Sequence, residues 1–171
     1  MIKSETAAEY NVVSTIPLDK CPTLSERDKK TIARAIKLLG NHLQQVGDIL
    51  DCPRAVKDYL ILTNAAKREE AFTVLYLDNR HRVIECVEHF HGTIDGAAVY
   101  PRVIVTHALR VNAAAVIFAH NHPSGYGEPS DADRKITDRL KTALDTVEVR
   151  VLDHLIIAGV DTFSFAEKGL I

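Results

Sequence analysis

The chain has 171 residues, 46% hydrophobic and 26% charged, with 21 Lys and Arg against 23 Asp and Glu and a formal net charge of -2. That length suits one domain with a small appendage and can bury a sizeable core. The near-neutral charge argues against a general electrostatic grip on nucleic acid, leaving only a local patch. No apolar run reaches the roughly 18 residues of a membrane span, and no charged-then-apolar start reads as a signal peptide. Cys21, Cys52 and Cys86 are odd in number, far apart and form no C-x-x-C, so they read as inert thiols. A reducing, cytoplasmic setting is the expectation that follows.

Residues 1–22, with Pro17 and Pro22, read as a loose arm. Thr23 to Glu26 and Ser25 to Asp28 both have capping-box spacing. Ile32, Ile36, Leu39, Leu43, Val46 and Leu50 then recur at helical steps, an apolar stripe with Gly40 inside it at some cost in propensity. Residues 1–50 are thus an arm and an amphipathic packing helix, and residues 51–171 the main domain. After Cys52-Pro53 a second helix is expected over Arg54 to Ala65. Ala71 to Leu77 is β-branched and aromatic, hence a strand; Asp78 to His81 is a turn; Arg82 to Phe90 returns as the second arm of a hairpin. Pro101 opens a helix over Arg102 to Val111, with Asn112 at its end. Ala113 to Ala119 suits a strand buried on both faces. Ser130 N-caps a helix over Asp131 to Val147, Glu148 to Ala158 is the last strong strand, and Phe163 to Ile171 is a tail that adds an edge segment. The alternation predicts an α/β domain, a mixed sheet with helices on both faces.

The chemistry concentrates between the buried strand and the helix that follows it. Side chains two apart on an extended chain point the same way, so His120 and His122 can converge on one ion, and Asp133 in the next helix's first turn can reach the same point. Two imidazoles and a carboxylate leave a fourth position open, as in catalytic zinc sites. Ser130 is placed to donate to a developing oxyanion, and the base must come from elsewhere in the sheet. The metal-free reading is that Ser130 and Asp133 simply cap a helix. Glu88-His89-Phe90-His91 offers a rival His-x-His whose spacing matches no closed ligand set. His107 reads as a packing residue, His81 and His42 as exposed, and His154 either as a buried structural histidine or as the partner that orients a zinc ligand.

His-x-His followed by Ser130 and Asp133 matches the JAMM signature of JAB/MPN metalloproteins. More narrowly, His120-Asn-His-Pro-Ser-Gly125, Pro129-Ser130, Gly92-Thr93, Pro101-Arg102, Asp153-His154 and Ser164 to Leu170 resemble the RadC family over about residues 54–171. The resemblance implies a JAB/MPN fold akin to the cytidine-deaminase-like α/β sandwich. It implies zinc on His120, His122 and Asp133, Ser130 beside the attacking water, and a glutamate as general acid/base in a hydrolase of peptide or isopeptide bonds. Glu70, at a Glu-x-Phe strand start, is the first candidate for that base, Glu88 the second and Glu85 the third. Val103 and Val87 stand where such chains usually carry glutamates, and residues 1–50 lack the Gly-x-Gly of a helix-hairpin-helix region, so a short RadC-like form is expected. A non-catalytic protein-binding module and a DNA-repair-associated protein are the alternatives.

Overall fold

The computed structural model describes residues 24–45, 53–64, 67–92 and 99–171. Residues 1–22, Thr23, Val46, Leu50, Ala65, residues 93–98, Cys21 and Cys52 lie outside the described residues, as does the side chain of Leu43. In chain order the elements are α1 (Glu26–Gln45), α2 (Pro53–Asn64), β1 (Ala71–Leu77), β2 (Val83–His91), α3 (Pro101–Arg110), β3 (Ala115–Asn121), α4 (Asp131–Asp145), β4 (Arg150–Ala158) and β5 (Asp161–Ser164). The sheet order is β2-β1-β3-β4-β5. Its pairs are antiparallel except β3 and β4, which run parallel and are joined through α4. This is the α/β architecture expected.

Both faces of the sheet are buried, which explains the unbroken apolar runs of β1 and β3. On one face Leu75, Leu77, Ala115 and Ile117 meet Ile36 of α1 and Val56, Tyr59 and Leu60 of α2. On the other, Val74, Tyr76, Val116 and Phe118 meet Ile104 and Ala108 of α3 and Leu140 and Leu144 of α4. Of the two possible start signals for α1, the Ser25 one forms: its hydroxyl accepts from the Asp28 amide at 3.2 Å. The Cys86 thiol is buried and free, and burial pushes its pKa up to about 12, as suits an inert packing group. Among the described residues no helix is long and apolar enough to cross a membrane.

Most boundaries shift by a residue or two from the sequence pattern, the edge segment forms as β5 over Asp161–Ser164, and two shifts have a clear physical cause. α4 stops at Asp145 rather than Val147, because the Val147 and Val149 amides both turn back to the Leu144 carbonyl and Glu148 takes φ 60°. β3 runs past Ala119 to Asn121, because His120 is paired to Phe72 on one side and Ile156 on the other. A polar residue inside a two-sided sheet is invisible to apolar periodicity.

Phe118 has no solvent exposure and packs on Phe72 and His154, with ring centroids 5.6 and 5.7 Å away. Phe118→Ala is expected to destabilise the fold by about 3–5 kcal/mol, read as a lower denaturation midpoint at unchanged slope.

Candidate metal centre

The centre lies where β3 ends and α4 begins, at the carboxyl end of the parallel pair, where α/β sheets open a crevice. His120 is the penultimate residue of β3 and His122 the first beyond it, so their rings share a side while Asn121 points to the other. The chain then turns through Gly125, whose φ of +76° is a left-handed conformation that favours glycine, and enters α4 at Ser130. There the capping box forms: Ser130 Oγ accepts from the Asp133 amide at 3.2 Å, and the Asp133 carboxylate accepts from the Ser130 amide at 2.7 Å. The box fixes the Asp133 carboxylate facing the imidazoles. His120 Nε2 stands 3.1 Å from Asp133 Oδ1, His122 Nε2 3.6 Å from Asp133 Oδ2, and the two Nε2 atoms 2.9 Å apart.

Hydrogen bonds behind the rings decide which atoms face inward. A carbonyl can only accept, so His122 Nδ1–H donates to the Tyr126 carbonyl at 2.6 Å and its Nε2 carries a lone pair. Thr137 Oγ1 donates to the Asp133 carbonyl at 2.6 Å, and therefore accepts from His154 Nδ1–H, also at 2.6 Å. His154 Nε2 is then an acceptor, and His120 Nδ1–H donates to it at 2.9 Å. His120 Nε2 is left with a lone pair as well. Two imidazole lone pairs and a carboxylate thus converge on one point, an arrangement that repels itself unless a cation sits within it. Bonds of about 2.0–2.2 Å in a tetrahedron would put neighbouring donors about 3.3–3.6 Å apart, close to the separations observed. His120, His122 and Asp133 therefore form a largely buried group that can hold a metal ion.

The three candidate glutamates part company. Glu70 precedes β1 and lines a cleft of about 170 Å³ with His120 and Asp133, and its charge contributes to raising the pKa of His122. Glu88 lies on the Cys86 face of the sheet, away from the centre, ion-paired to Lys67 and to His91 at 2.8 Å. Glu85 bonds His107 at 2.8 Å. Its strand partner Tyr76 is four positions along β1 from Phe72, the partner of His120, or about 13 Å. The Ser130 hydroxyl donates to Asp133 Oδ2 at 2.6 Å, so its proton faces the carboxylate in this structure. The rival pair does not converge: a register shift between the Phe72–Phe90 and Thr73–Glu88 pairs makes His89 a bulge residue. His89 Nε2 meets the Tyr76 hydroxyl at 2.6 Å while His91 bonds Glu88. Two residues of the centre carried no signal in the sequence. Thr137 reads as one more helix residue, and Asn121 as a spacer between histidines. Yet the buried Asn121 amide accepts from the Ala71 amide at 2.9 Å and donates to the Glu69 carbonyl at 3.0 Å, clamping the backbone on both sides of Glu70.

The model of the RadC-like JAB domain matches residues 50–170. The chain belongs to the RadC-like JAB domain family. It is 56% identical over 125 residues to a UPF0758 protein of Vibrio cholerae, covering 73% of this chain and 56% of that protein. It is 56% identical over 131 residues to one of Aeromonas salmonicida, 77% of this chain and 57% of the relative. With one of Methylibium petroleiphilum it shares 52% over 137 residues, 80% and 61% respectively. The matched part thus spans little more than half the length of these relatives, whose name states no activity. The mixed sheet with helices on both faces is consistent with the JAB/MPN fold.

Charge in the centre follows the same geometry. In the metal-free centre burial alone would push the Asp133 carboxyl up, but hydrogen bonds from His120 and His122 when an Nε2 is protonated, the charge of His120 and the Ser130 hydroxyl outweigh it and hold it well below the usual range. The hydrogen bond to Asp133 raises His122 above its ordinary value, against the effect of burial. Burial lowers His154 far below its ordinary value, so it stays neutral, as an acceptor must. A raised histidine stabilises fully below its unfolded pKa of about 6.5 and loses this as pH climbs through its folded pKa; a depressed aspartate stabilises above about 3.9 and loses this as pH falls through its folded pKa. Chelator-treated protein should therefore gain most from the pair between about pH 4 and 6.5. Its thermal midpoint should fall from pH 6 to pH 9, and His122→Gln should flatten that difference. Asn121→Ala should cost about 1–3 kcal/mol and abolish hydrogen-exchange protection at the Ala71 amide.

Proposed function

We propose that this domain is a zinc-dependent hydrolase of peptide or isopeptide bonds, with Glu70 as general base and Ser130 as oxyanion donor. The observation that carries the reading is the convergence of two imidazole lone pairs and a carboxylate beside a cleft whose wall includes a glutamate. Zinc bound there would supply Lewis acidity, lowering the pKa of water from about 15.7 to about 7. His120, His122 and Asp133 would hold it, and His154, its own tautomer fixed by Thr137, keeps His120 in the ligating tautomer. Glu70 takes a proton from the attacking water and returns it to the leaving nitrogen. The Ser130 hydroxyl, turned from Asp133, donates to the developing oxyanion at the helix N-terminus, where negative charge is favoured. Phe72 and Ile136 give the cleft an apolar wall beside the donors. Residues 51–171 are proposed as the unit that carries this chemistry.

Purified chain should carry about one zinc, lost in His120→Ala and in Asp133→Ala; full zinc in both variants would sink the site. Uptake should release protons and strengthen as pH rises through the folded pKa of His122, since ligands bind unprotonated. Glu70→Gln should keep the metal and lose about 10²–10⁴-fold in turnover, measured on a peptide pool by mass spectrometry. Unchanged turnover would move the base to another residue.

A further inference from the structure

The cleft beside the donors has an uneven lining. Phe72, Phe90, Val99 and Ile136 make its walls apolar, and the exposed Arg139 also lines it. On α4 the cleft-facing residues are Ala132, Ile136 and Arg139, spaced as one helical stripe, while Thr137, Leu140 and Leu144 face the sheet. Arg139 follows Asp133 by six positions, so it stands about 9 Å further along the helix axis. The neighbouring cations of α4 do not line the cleft: Arg134 and Lys135 are exposed elsewhere on the helix. A cavity of about 170 Å³ is the size that accepts one benzene-sized group. Extended peptide advances about 3.3 Å per residue, so about 9 Å is two to three residues.

We infer that the cleft is a substrate subsite for a peptide that places one apolar side chain beside the metal donors and a carboxylate, two to three residues along, on Arg139. The inference rests on the peptide-hydrolase reading above, and it names the substrate class: acidic or carboxylate-ended peptides with an apolar residue next to the bond to be cut. Arginine suits the task because its planar fork grips a carboxylate through two parallel hydrogen bonds. In the metal-free chain the acidic groups of the same cleft, Glu70 and Asp133, disfavour an anion beside the donors and so favour the carboxylate on Arg139. The carboxylate is either the peptide's C-terminus or an acidic side chain, and the two are separable by experiment.

The test uses the full chain, chelator-treated so that neither turnover nor direct ligation of zinc by a carboxylate contributes. Three fluorescein-labelled peptides are titrated by anisotropy at low salt: Gly-Ala-Leu-Ala-Ala with a free C-terminus, the same peptide amidated, and an amidated version ending in Glu. One or both charged peptides should bind about tenfold tighter than the neutral one, and which of them does so identifies the source. Arg139→Gln should erase the difference, whereas Arg134→Gln should keep it. Replacing the Leu by Asn should weaken all three. Equal binding of the three peptides, a preference that survives Arg139→Gln, one equally reduced by Arg134→Gln, or no binding up to about 1 mM would each overturn the subsite. Because the readout needs no hydrolysis, a preference without cleavage by the zinc-loaded chain sinks only the hydrolase reading. Cleavage indifferent to the carboxylate sinks only the subsite.

Discussion

Two imidazole nitrogens and a carboxylate, held with their lone pairs facing one another at 2.9 to 3.6 Å, are unstable company without a cation. Each is locked from behind. The Tyr126 carbonyl holds His122, the His154–Thr137 chain holds His120, and Ser130 holds Asp133. The lock on His120 works only while His154 is neutral, and its burial among Phe72, Phe118 and Phe165 keeps it so. The hydrophobic packing on the α3 and α4 face is therefore also electrostatic equipment. It sets the protonation state of one histidine and thereby the tautomer of the next.

The parallel β3–α4–β4 unit explains why the centre sits where it does. A strand end delivers two side chains to one side, and a helix start delivers exposed amides and a capping carboxylate a short loop away. Capping and ligation are not rival explanations for Ser130 and Asp133. The capping box leaves Oδ1 of Asp133 turned to His120, so the local helix signal is what aims that carboxylate. Asn121 performs the complementary task on the other side of the strand, tying the segment that bears Glu70 to the segment that bears the histidines.

The two His-x-His pairs show how little spacing alone decides. His120 sits in a stretch that pairs regularly with both neighbouring strands, from Ile117 to its end on the β4 side, and converges with His122. His89 and His91 have the same spacing on an edge strand, and one bulge turns them apart. His89, pushed down to about 4 by burial and by the neighbouring charge of His107, meets the Tyr76 and His107 rings edge-on.

The sequence by itself determined most of the elements, the α/β class, the family resemblance and the His120, His122 and Asp133 set, because periodicity, caps and a short ordered motif are all local. It also ranked Glu70 first of three glutamates, on its Glu-x-Phe strand start, a match that carries no information about its position in space. Only the tertiary structure decided which glutamate shares a cleft with the donors, since that depends on strand order and on the face each residue takes after the bulge in β2. The same holds for Asn121, Thr137 and Arg139. Their partners lie across the sheet, on the next strand or along a cleft wall, and a single chain carries no mark of a hydrogen bond made fifty residues away until the backbone brings both ends together.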